Sequence, residues 1–86
     1  MCASLQIMFI VYSLQSIFDP DRYYIGITED LAQRLEYHNE GKCIHTAKYK
    51  PWRLMVSIQF ADEAKARAFE RYLKSGSGRA FAKKHF

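Results

Sequence analysis

An α/β (α+β) fold, a three-stranded antiparallel sheet flanked by helices in the order β-β-α-β-α-(α), is what this 86-residue sequence predicts. Three observations carry that prediction. Two segments rich in β-branched and aromatic residues flank a short turn containing Pro20, a third segment alternates apolar and polar residues, and two further stretches show helical apolar spacing between start and stop signals.

Taking the elements in order, Ile7 to Leu14 and Arg22 to Thr28 read as a β-hairpin. The first of these strands is apolar almost without interruption, which calls for cover on both faces and places it at the centre of the sheet. Asp30 can cap a helix running to about Asn39, with Gln33 at the capping-box position and Gly41 as the stop. Leu31, Leu35 and His38 then share one stripe. Trp52 to Phe60 forms the third strand, in which Leu54, Val56, Ile58 and Phe60 alternate with Met55, Ser57 and Gln59, so that one face is buried and the other at least partly wet. A second helix starts at Asp62 or Glu63 and stops at Gly76, burying Ala66, Phe69 and Leu73. A short basic helix closes the chain from Gly78 to Phe86.

Apolar residues make up 49% of the chain, enough for one compact core and far from the composition of a disordered segment. One domain over residues 1–86 is expected. Cys2 and Cys43 are too few for a disulfide scaffold and read as reduced thiols. The start of the chain lacks a basic leader region, and the run from Ile7 to Tyr12 is too short to cross a bilayer. A soluble, cytoplasmic protein with no membrane partner is therefore expected. The net charge of +4 is unevenly spread: Lys65, Arg67, Arg71, Lys74, Arg79, Lys83 and Lys84 face a single acid, Glu70, from Lys65 onward. Such an end suits a polyanion, although basic tails also serve solubility.

Within the hairpin, a turn centred near Phe18 would set Tyr12 opposite Tyr24. Gly26 would lie two residues further along the same face, leaving room where a side chain would otherwise stand. A cross-strand tyrosine pair is by itself an ordinary stabilising feature. The following helix adds Arg34 and His38, spaced i, i+4 beside the stripe that packs on the sheet. Glu70 adds a carboxylate next to the buried Phe69, although pairing with Arg67 or Lys74 would account for it equally well.

These residues, in this order, resemble the GIY-YIG nuclease superfamily from about Phe9 to Lys74. Ile10-Val11-Tyr12 resembles the first name-giving tripeptide, with Ile10 in place of glycine, and Tyr24-Ile25-Gly26 resembles the second. The run Asp30-Leu31-Ala32-Gln33-Arg34-Leu35 with His38-Asn39 looks like the family's arginine-bearing helix, and Glu70 in Phe69-Glu70-Arg71-Tyr72-Leu73-Lys74 looks like its metal-binding glutamate. Tyr24 through Gly41, and Lys74-Ser75-Gly76, look most like the small stand-alone bacterial members. Excision-repair relatives carry a lysine directly after the second motif, where this chain has Ile27.

The resemblance implies a metal-dependent endonuclease of the kind used in DNA repair. Tyr12 would take the proton of the attacking water, Arg34 would hold the scissile phosphate, Tyr24 would bond the phosphate or water, and Glu70 would hold one Mg²⁺ or Mn²⁺. An unperturbed phenol with a pKa near 10 is only about one part in a thousand ionised at pH 7, so something must favour the phenolate or relay its proton. Metal charge, Arg34 and His38 are the candidates for the first task, and His38 for the second. Lys42, Lys48, Lys50, Arg71 and Lys74, with Gly26, are candidate nucleic-acid contacts, and Trp52 or Tyr49 could stack a base. DNA is the expected partner, branched or flapped forms and RNA included among the possibilities, with the chain acting as a monomer or homodimer. No zinc-site spacing occurs.

Overall fold

A computed structural model describes residues 7–86. The expected order of elements is present. Strands β1 (Phe9–Ser16), β2 (Tyr23–Thr28) and β3 (Trp52–Phe60) form an antiparallel sheet in the order β2-β1-β3, with helices α1 (Leu31–Asn39), α2 (Glu63–Lys74) and α3 (Gly76–His85) packed around it.

The central strand buries side chains on both faces, as its unbroken apolar run demands. Val11 is 2% exposed and packs towards α2 and α3 with Ala66 and Leu73, supported by Phe9, Ile25, Ile27, Phe60, Phe69 and Phe81. On the opposite face Tyr12, Leu14 and Trp52 pack with Tyr24, Leu31, Leu35 and Tyr49 beneath α1. Each fully buried aliphatic side chain, such as Val11, Leu14 or Leu73, contributes about 1.5–3 kcal/mol of transfer free energy to holding these layers together. Cys2 lies outside the described residues, and Cys43 carries a free thiol.

The strands differ in detail from the sequence expectation. β1 begins at Phe9 and runs on to Ser16, two residues beyond Leu14, because Ser16 is anchored: its amide donates to the Arg22 carbonyl and its hydroxyl to the Tyr49 carbonyl. The hairpin register moves with it. Tyr12 stands opposite Gly26, and Leu14 opposite Tyr24, so the two tyrosines share a face diagonally and are not directly paired. The alternation in β3 also breaks. Ser13 pairs with Val56 but Leu14 with Leu54, leaving Met55 as an extra residue in a bulge. Val56, Ile58 and Phe60 therefore join the Val11 face, whereas Leu54 and Trp52 shift to the Tyr12 face. On this edge strand Leu54 remains 38% exposed.

The helix signals work largely as read. Asp30 Oδ1 accepts the Gln33 amide, although the reciprocal half of the capping box is absent because the Asp30 amide is held by the Thr28 hydroxyl. At the other end Gly41 adopts φ +76°, its amide donating to the His38 carbonyl and that of Lys42 to the Tyr37 carbonyl, a Schellman stop that only glycine enters without strain. The joint between α2 and α3 falls earlier than expected, by one residue for the stop of α2 and by two for the start of α3. Ser75 closes α2, and its hydroxyl accepts the Gly78 amide, so α3 starts at Gly76.

Candidate active site

Tyr12 on β1, Tyr24 on β2 and His38 on α1 meet on the α1 face of the sheet. The Tyr12 hydroxyl lies 2.8 Å from His38 Nε2, and the two side chains are only 2% and 1% exposed. The Tyr24 ring centroid stands 4.9 Å from that of His38 and 6.4 Å from that of Tyr12. Gly26 makes this approach possible. A Cβ at that position would come within 2.5 Å of Tyr12 Cζ, so the room over Gly26 holds the Tyr12 ring and is not an open pocket; Gly26 itself is buried and offers no surface to a nucleic acid.

His38 sits in the last turn of α1, and the Schellman stop brings the following loop back against it. Thr46, fully buried, places its hydroxyl 2.8 Å from His38 Nδ1. The loop is pinned from two sides. The Trp52 indole donates to the Thr46 carbonyl at 2.8 Å, and the Asn39 amide clamps the Trp52 backbone, accepting its N–H at 2.5 Å and donating to its carbonyl at 3.1 Å. Among the described residues no buried side-chain nitrogen or oxygen is left without a hydrogen-bond partner, as burial requires. Trp52 is consequently 4% exposed and committed to this clamp, which removes it as a base-stacking surface.

Arg34, one turn before His38, is half-buried with its guanidinium 5.0 Å from the Tyr37 ring. It lines an open cleft of about 330 Å³ with Phe9, Ile27, Thr28, Gln33 and Arg67. Glu70 on α2 has a side chain only 16% exposed, and its Oε2 lies 3.1 Å from Lys74 Nζ. Arg67 pairs with Glu63 instead, at 2.8 Å. The charges of Arg34 and Glu70 act on both phenols, so five side chains from β1, β2, α1 and α2 share one electrostatic neighbourhood.

The balance of that neighbourhood opposes a preformed phenolate. Burial raises the Tyr12 phenol well above its ordinary value, the neighbouring Tyr24 adds to the effect, and Arg34 offsets only part of it. Burial likewise raises Tyr24. His38 moves the other way, held below its ordinary value by burial and then by Arg34. Arg34 favours the phenolate as expected, but burial outweighs it, and His38 adds no positive charge, so the Tyr12 phenol and the His38 imidazole both rest neutral at pH 7.

Among the described residues no group of three or more His, Cys, Asp or Glu side chains is placed to hold a metal ion. Glu70 offers one partly shielded carboxylate, a donor suited to a hard, hydrated cation that draws its other ligands from water and substrate. Of the candidate backbone contacts, Lys48, Lys50 and Arg71 are exposed, Lys42 is exposed and paired with Glu40 at 3.0 Å, and Lys74 is engaged by Glu70. Tyr49 is half-buried beneath the Arg22 guanidinium, 4.6 Å from its centroid. Sequence reasoning missed Thr46, whose place beside His38 has no local signature, and gave Asn39 no task although it stood in the motif.

Comparison with known proteins agrees with this constellation. Residues 8–84 match the model of the GIY-YIG catalytic domain, which takes in all five side chains. The chain is also similar to the structure-specific endonuclease subunit SLX1 of Scheffersomyces stipitis, at 40% identity over 67 residues, 70% of this chain and 20% of that protein. It therefore spans about a fifth of that relative's length. With the family match extending from the start of the central strand to the last turn of α3, and with the ordered tyrosines, arginine, histidine and glutamate gathered in one place, the chain belongs to the GIY-YIG catalytic domain family.

Proposed function

We propose that this chain is a metal-dependent endonuclease that hydrolyses DNA phosphodiester bonds, with branched or flapped DNA as its substrate class. The observation that carries the reading is the buried 2.8 Å bond between the Tyr12 hydroxyl and His38 Nε2, set within electrostatic reach of Arg34 and Glu70. A phenol and an imidazole placed solely to fill a core have no need of an arginine and a carboxylate beside them. The preference for branched forms is supported by the similarity to a structure-specific endonuclease subunit, and the choice of a polyanion by the basic surface of α2 and α3.

The residues divide the work of hydrolysis. As water attacks phosphorus, one of its protons passes to Tyr12 Oη while the Tyr12 proton passes to His38 Nε2; the phosphorus–O3′ bond breaks and the strand leaves as a 3′ oxyanion, which takes a proton from solvent water to become the 3′ hydroxyl. A coupled transfer suits these pKa directions, because the phenol at no point carries a full negative charge. Arg34 holds the scissile phosphate and offsets charge on its oxygens as they crowd in the transition state. Tyr24, its hydroxyl kept neutral by burial, is a donor towards the phosphate or the water. Glu70 would hold one Mg²⁺ or Mn²⁺, which supplies charge for the departing oxygen.

Glu70→Ala separates an enzyme from a binding module. Its native partner Lys74 is 51% exposed, so the loss of that pair costs at most about 1 kcal/mol and the fold survives. Wild type is expected to cleave flapped or branched duplexes in Mg²⁺ or Mn²⁺, and the variant to bind them without cutting. A folded wild type that cuts no member of a panel of flapped, branched, linear and single-stranded DNAs with either ion would refute the proposal.

A further inference from the structure

We infer that Thr46 is a positioning residue that fixes the tautomer of His38, holding the proton on Nδ1 so that Nε2 is bare and open to Tyr12. The inference deepens the proposed nuclease reading by giving its proton path a direction.

Two ends of one hydrogen-bond chain lead to the same assignment. At the Thr46 end, the hydroxyl lies 3.4 Å from the Cys43 carbonyl, which can only accept, and 2.8 Å from His38 Nδ1. Thr46 has one proton; given to the carbonyl, it leaves the oxygen to accept from Nδ1–H. At the Tyr12 end, the hydroxyl has no partner other than His38 Nε2 among the described residues, on a residue only 2% exposed. A neutral phenol there has a proton to donate and one place to put it. Both ends give Tyr12 O–H to Nε2, Nδ1–H to Thr46, and Thr46 O–H to the Cys43 carbonyl.

The loop is built to hold this order. The Cys43 carbonyl also accepts the Thr46 and Ala47 amides at 3.1 and 2.9 Å, and the Thr46 carbonyl is held by the Trp52 indole. The titratable and charged groups facing His38 are Tyr12 from β1, Tyr24 from β2, and Tyr37 and Arg34 from its own helix. None of them takes the place of Thr46 at Nδ1. The reverse tautomer would point a proton at the Tyr12 oxygen and leave the phenol proton unpartnered.

The test is ¹⁵N NMR of the full chain labelled at histidine, recorded without DNA or metal, with His45→Gln and His85→Gln used to assign His38. Wild type and Thr46→Ser are expected to show Nδ1 protonated and Nε2 bare, and Thr46→Val to lose that pattern. Wild-type His38 protonated at Nε2, or Thr46→Val retaining a pure Nδ1–H form, would overturn the inference. Should Thr46→Val fail to fold, the wild-type and Thr46→Ser spectra decide it alone. In cleavage assays Thr46→Val is expected to lower kcat on the order of 10–100-fold with KM unchanged, and Thr46→Ser to restore it. A wild type with the expected spectrum and no cleavage would sink the nuclease reading and leave the tautomer assignment standing.

Discussion

Replacing Gly26 by alanine adds one methyl group at the point where β2 passes under the Tyr12 ring. The new Cβ would lie 2.5 Å from Tyr12 Cζ and 2.9 Å from Cε1. Unstrained carbon contacts need about 3.5 Å, so the ring must retreat by about 1 Å. It cannot do so and keep its 2.8 Å bond to His38, because Tyr12 and His38 are only 2% and 1% exposed and Tyr12 belongs to a core cluster with Leu14 and Trp52 that Tyr24 and Leu35 pack against. Overpacking of this kind costs about 1–3 kcal/mol of stability, and misplacing a reacting group by about 1 Å costs about 10²-fold in rate. Urea denaturation followed by single-turnover cleavage of a flapped duplex measures both. The expected result is a lower midpoint with unchanged slope and a rate falling by about two orders of magnitude while DNA affinity holds. A Gly26→Ala protein with wild-type stability and wild-type rate would refute the placement of Tyr12 over Gly26 and with it the geometry of the site.

The joint between α2 and α3 is equally tight: a Cβ on Gly78 would fall 2.6 Å from Leu73 Cα and collide with the Tyr72 carbonyl, whereas one on Gly76 meets nothing within 4 Å. Gly78→Ala is therefore expected to lower stability by about 2 kcal/mol or more in urea titration, and Gly76→Ala to leave it unchanged or raise it slightly. Stability should also fall towards acid through His38. Its folded pKa lies below its ordinary value, so below about pH 6.5 the unfolded chain binds a proton that the folded one refuses. Urea midpoints are expected to drop from pH 6.5 to 5, and the drop to shrink in His38→Gln; an equal slope in both proteins would contradict it. At the alkaline end Tyr12 and Tyr24 work in the opposite sense. Their phenols are raised on folding, so the unfolded chain ionises first and stability should decline above about pH 10, less so in Tyr12→Phe.

Much of this architecture was legible in the residues. The unbroken apolar run of β1 announced a central strand, the Asp30 and Gly41 signals bounded α1, and the spacing of Ala66, Phe69 and Leu73 marked the buried face of α2. Errors arose where a distant partner outweighed a local pattern. The hairpin register was displaced by two because Ser16 closes the turn through the Arg22 carbonyl and the Asp19 amide while its hydroxyl is also tied to Tyr49, thirty-three residues away, a tie that turn residues alone do not record. The bulge at Met55 had no signature in β3, whose alternation reads smoothly; it exists because Trp52 must reach the α1 face while Phe60 stays on the other. At the site, the tyrosines, arginine, histidine and glutamate were visible as motifs, but the direction of the phenol shift was not. That direction follows from burial, a property of the packed molecule.

The central claim is that Tyr12 and His38 form one proton path, and a double-mutant cycle on cleavage tests it most directly. Single-turnover rates on a flapped duplex would be measured for wild type, Tyr12→Phe, His38→Gln and the double variant, each shown to be folded and to bind DNA. Groups that act as one unit are not additive. Each single change is expected to cost on the order of 10²–10⁴-fold, and the double change no more than the worse of the two. Losses that multiply in the double variant would show two independent contributions and contradict the account.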